Sequence, residues 1–162
     1  GERMKNKGMS EIVQGIARTV FPFIVLYGIS LVLYGHITPG GGFAGGVILT
    51  GGFVLLLLAF GKEYTFMIFP VKIAKVLDST GAFGFLAVAL LGFAGGFFFY
   101  NLLPKGHIFH LWSAGTIIVS NIMIGLKVAS ALFIAIATLS MSRLLYTKEG
   151  IKYKKSMEEE EE

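Results

Sequence analysis

The chain has 162 residues, a formal net charge of +4 and a mean hydropathy of +0.74, with 54% apolar and only 15% charged side chains. This balance excludes an ordinary soluble domain, and charge-free stretches of about eighteen residues or more point to membrane spans. There is no cysteine, which excludes disulfides, thiol catalysis and cysteine-bound iron–sulfur centres.

The N-terminal Gly-Glu-Arg-Met-Lys-Asn-Lys has no apolar run with a cleavage site behind it, so no signal peptide is expected. The first span is expected over Val13–Tyr34, with Pro22 inside it, and the second over Phe43–Gly61. Between spans two and three, "EYTFMIFPVKIAKVLD" is too charged to cross and too apolar to lie free in water. Lys72, Lys75 and Asp78 recur every three residues there, which predicts a short helix lying on the membrane or under a partner. The third span is expected over Thr80–Leu103 and the fourth over Ser113–Tyr146. The sequence thus predicts an all-α, integral membrane, four-helix bundle. Residues 1–150 would form one membrane domain, and 151–162 a disordered, charged tail.

Arg3, Lys5 and Lys7 precede the first span, Lys62, Lys72 and Lys75 follow the second, and Arg143, Lys148, Lys152, Lys154 and Lys155 close the chain. The other two connections share only Lys105. The excess of basic residues on one side predicts both termini in the cytoplasm and the Gly35–Gly42 turn outside. With its basic residues explained by topology, the chain is not expected to bind nucleic acid.

Pro39, Gly40, Gly41 and Gly42 do not form a phosphate cradle, because no Lys-Ser/Thr pair follows and no strand precedes. They predict a tight turn needing positive φ. Gly41 with Gly45, and Gly42 with Gly46, place small residues on one helical face, the pattern of closely packed membrane helices. Gly51-Gly52 extends that character down the second span.

Gly35-His36-x-x-Pro39-Gly40-Gly41-Gly42-Phe43-x-Gly45-Gly46 resembles the signature of the MnhB/MrpB family. That family comprises small membrane subunits of multisubunit Na⁺/H⁺ antiporters and of related modules in archaeal membrane-bound hydrogenases and sulfur reductases. Asn121-Ile-Met-Ile-Gly125-Leu-Lys127-Val is a second, softer likeness, although Ala129-Ser130-Ala131 replaces a glycine-rich continuation. The resemblance implies a non-catalytic subunit in the cell membrane, with other membrane subunits and the bilayer as partners and Na⁺ or H⁺ as transported ions.

Lys127 is the one charge in the fourth span before Arg143. A midplane lysine costs ~2.5–3.5 kcal/mol unless it faces protein or water. Thr116, Ser120 and Thr138 lie within about 20° of its direction at 100° per residue, and Ser130 about 60° away. This stripe predicts either a hydrated ion path lined by Lys127, Thr116, Ser120, Ser130 and Thr138, or a fixed charge paired across subunits. No carboxylate falls inside any expected span, so the counter-charge is expected from another chain.

His36 is placed to relay protons at the outer side or, more simply, to hydrogen-bond carbonyls freed at a helix end. His107 and His110 lack a third ligand and are read, with Phe109 and Trp112, as an interfacial belt and not a metal site. No catalytic set and no cofactor ligands can be assembled. The alternative to ion handling is a scaffold that holds neighbouring subunits in register.

Overall fold

The computed structural model describes residues 9–101 and 114–160, with 141 and 143–160 as backbone. Helix α1 spans Glu11–Tyr34, α2 Gly42–Phe60, α3 Lys62–Ile68, α4 Val71–Leu91 and α5 Thr116–Glu160, and a 3₁₀ turn over Gly92–Gly95 extends α4. Four stretches are long and apolar enough to cross a membrane: Glu11–Tyr34, Gly42–Phe60, Val71–Gly95 and Thr116–Ser140. All described regular structure is helical.

Three of these spans fall where the sequence places them, and the third does not. It starts at Val71, nine residues before Thr80, and its helix ends at Leu91. The expected interfacial helix is therefore two pieces. Lys62–Ile68 forms the seven-residue α3, and Lys72, Lys75 and Asp78 belong to the first turns of α4. Phe69 (φ −133°, ψ 88°) breaks the helix, and Pro70 restarts it, since proline needs no amide partner at a helix start. His107, His110, Phe109 and Trp112 lie outside the described residues. The tail expected to be disordered continues α5 through Glu160, in keeping with the helix propensity of its Lys, Met and Glu residues.

The helices form an open row in the order α1, α2, α5, α4; α1 also touches α5, and no substantial contact joins α1 to α4. The expected bundle is thus not closed. Glycine sets the spacing. Gly40 and Gly41 take φ of 151° and 121°, conformations strained for any L side chain, and turn the chain into α2. One face of α2 then meets α1: a Cβ on Gly45 would lie 2.5 Å from Cγ2 of Val32 and 2.7 Å from the Gly28 carbonyl oxygen. A second face meets α5: a Cβ on Gly42 would lie 2.3 Å from the Asn121 carbonyl oxygen, and one on Gly46 2.8 Å from that of Gly125. The glycines of α2 thus face two neighbours at once, Gly45 toward α1 and Gly42 and Gly46 toward α5, while Gly41 lies near only Asn121 of α5. Gly52 packs on Phe21 and Ile24, whereas Gly51 faces open space.

Below the glycines, aromatic rings fill the seam. Phe53 of α2 stacks on Phe69 at 4.7 Å and meets Phe21 and Phe133 edge-on. Such pairs are worth about 0.5–1.5 kcal/mol beyond the area they bury. The Lys62 ammonium donates to the Ser140 carbonyl, tying α3 to α5, and the Arg18 guanidinium lies 5.5 Å over the Phe60 ring. One hydroxyl crosses the central seam: buried Thr50 Oγ1 lies 3.0 Å from both the Gly46 and the Ala129 carbonyl oxygens. Thr50→Val should lower stability in detergent by about 0.5–1.5 kcal/mol, and an unchanged unfolding transition would show that the interhelical bond contributes nothing.

Candidate functional site

Helices α4 and α5 run antiparallel, and Gly81 lets them touch. A Cβ there would lie 2.8 Å from the Lys127 backbone nitrogen and 2.9 Å from the Met123 carbonyl oxygen. With the backbones this close, the lysine stem runs along α4 toward the turn that precedes Gly81. Its ammonium donates to Asp78 Oδ1 at 2.6 Å, within salt-bridge range.

This overturns the expectation that the chain carries no anion for Lys127. The sequence places Asp78 in an interfacial segment; it is the eighth residue of a helix long enough to span. By helix rise it lies roughly 10 Å from the start of α4, and Lys127 roughly 16 Å from the start of α5. Neither charge is sealed within the chain: the Lys127 side chain is 42% exposed and that of Asp78 27%. The pair offers one side to whatever adjoins the α4–α5 seam. A carboxylate here can hold either the tethered ammonium or a mobile cation in its place.

The hydroxyls expected beside Lys127 are scattered in their bonding. Ser130 is buried and lies 2.6 Å from the Leu126 carbonyl and 3.2 Å from that of Lys127. Thr138 is exposed and donates to the Ile134 carbonyl at 2.8 Å. Thr116 opens α5, and both its amide and its hydroxyl donate to Asn101 Oδ1 at 3.0 Å. Ser120 is half-buried one turn farther along. Asn121 faces α2, and Gly125 meets Val32 of α1 as well as Gly42 of α2.

His36 is half-buried in the turn at the Pro39 end. Lys127 lies farther along, beside Val128, which packs on Gly46. Two participants escape a reading of the sequence. Asp78 is hidden among lysines, although the demand of Lys127 for an anion is the signal that could find it. Asn101, whose carboxamide holds the start of α5, carries no signal in the sequence.

Beside the pair, the outer face of α4 carries an open cavity of about 680 Å³, with Lys75 among its lining residues and Met123 contributed by α5.

Known proteins resemble this chain in sequence and in fold. The profile of a domain related to the MnhB subunit of Na⁺/H⁺ antiporter matches residues 12–134. An uncharacterised protein of Methanocaldococcus jannaschii is 36% identical over 156 residues, 88% of this chain and 58% of that protein. A Na⁺/H⁺ antiporter subunit of Bacillus subtilis is 40% identical over 81 residues, 50% of this chain and 54% of the relative. This chain therefore spans only a little over half the length of these relatives. A chain in the structure of the membrane-bound sulfane sulfur reductase, an archaeal respiratory membrane complex, superposes with a TM-score of 0.69 at 30% identity, covering 85% of this chain and 62% of that one.

Proposed function

Because the chain belongs to the family of the domain related to the MnhB subunit of Na⁺/H⁺ antiporter, we propose that it serves as a non-catalytic membrane subunit of a multisubunit cation/proton antiporter module. That module is either of the Mrp type or part of an archaeal respiratory complex like the sulfane sulfur reductase. The chain works in the cell membrane with both termini cytoplasmic, consistent with its basic residues. Residues 1–150 act as one membrane domain.

The observation that carries the ion-handling role is the Lys127–Asp78 pair, 2.6 Å apart on two membrane-length helices and open on one side. A proton or Na⁺ reaching Asp78 competes with the ammonium for the same oxygen, so occupancy of the carboxylate and release of Lys127 are linked. Ser120, Ser130, Thr116 and Thr138 supply hydroxyls along that helix, and His36 the outer approach.

The test removes both charges together, so that neither is left orphaned. Asp78→Asn with Lys127→Gln should reduce Na⁺/H⁺ exchange in everted vesicles on the order of tenfold while the complex still assembles. Full exchange by an assembled double variant would refute the role.

A scaffold is the second reading. Its support is that no more than a third of any membrane-length stretch is buried within the chain, which leaves wide surfaces for neighbours. Under that reading the same double variant would assemble and keep full exchange.

A further inference from the structure

We propose that the groove along α4 and α5 holds one acyl chain of an anionic phospholipid, with Lys75 and Lys72 meeting its phosphate. Val76, Thr80, Phe83 and Ala87 of the groove recur at helical spacing and share one face of α4, and Met123 of α5 forms the opposite wall. The stripe is roughly 16 Å long. The lining carries two hydroxyls, Ser79 and Thr80, and that of Thr80 donates to the Val76 carbonyl at 2.8 Å. Apart from these and Lys75 the trough is apolar, which suits an apolar occupant.

Charge decides which. Lys75 lines one end of the groove, Lys72 lies one turn before it, and both are exposed. Asp78, one turn beyond Lys75, would repel a phosphate, but its charge is met by Lys127 at 2.6 Å. Among the described residues, the mouth is left with two uncompensated ammonium groups at the start of a membrane-length helix, the place of a lipid headgroup. A zwitterionic lipid brings its own cation to the lysines and fits less well. The inference stands apart from ion exchange, since neither lysine nor the groove belongs to the Lys127–Asp78 pair.

Two measurements test it. Photoreactive p-benzoylphenylalanine at Phe83, in the membranes of producing cells, should yield a mass increment of one phospholipid; a crosslink to another polypeptide overturns the proposal. Native mass spectrometry of the purified protein should show phosphatidylglycerol retained over phosphatidylcholine. Lys72→Gln with Lys75→Gln should erase that preference, by ~5-fold per lysine, and Ala87→Phe should reduce retention of both lipids. Equal retention of the two lipids by the unaltered protein, or undiminished phosphatidylglycerol binding in either variant, overturns it.

Discussion

Asp78→Ala should destabilise the protein by about 2–3 kcal/mol and lower its yield from membranes, because it strands Lys127 within the span without an anion. The figure is held below that for a fully enclosed pair, since both partners keep one open side. Lys127→Ala should cost less. Its loss leaves a carboxylate roughly 10 Å from the start of α4, near enough to one end to recover water or a proton. The double change Asp78→Ala with Lys127→Ala should then return to within about 1 kcal/mol of the parent, the signature of coupled sites. Unfolding of the four proteins in mild detergent measures the cycle. Additive losses would show that the two charges do not depend on one another.

Gly42→Val should have the larger effect on assembly. The new Cβ would lie 2.3 Å from the Asn121 carbonyl oxygen and 2.9 Å from Cβ of Ile124. Backbone cannot swing aside as a side-chain tip can, so α2 and α5 must part along their seam. Overpacking of this kind costs about 3 kcal/mol, and separation would also loosen Thr50 from Ala129 and Phe53 from Phe133. Gly51→Ala is the matched control. Nothing lies within 4 Å of its added methyl, and helix propensity favours the change by up to about 1 kcal/mol. Monodispersity in detergent and resistance to proteolysis report both. Tolerance of Gly42→Val would mean that the two helices are not held at this distance by glycine.

The sequence is legible where one helix at a time is enough. Apolar length locates the first, second and fourth spans, and four-residue glycine spacing shows that α2 is approached closely. Legibility fails at Asp78 because a linear reading weighs each charge alone. Lys72, Lys75 and Asp78 within seven residues look too costly to insert, so such a reading starts the third span after them. The cost falls once Lys127, 49 residues away, meets the carboxylate. Pro70 is the overlooked clue, since a proline just ahead of an apolar run commonly opens a helix. Which helices adjoin is equally hidden. Gly42 and Gly46 announce a close neighbour, but only the folded chain identifies it as α5.

The order of the row bears on how the protein is made. The α1–α2 hairpin is complete before α4 and α5 exist, and α4 with α5 makes a second hairpin. The two meet through Gly42, Gly46, Thr50 and Phe53, so this ridge of α2 must wait in lipid during synthesis. Helices already stable in the bilayer associate afterwards through close packing and interhelical polar contacts. A ridge of glycines suits that wait: it offers lipid little to grip and leaves the late-arriving α5 a smooth, shallow slot.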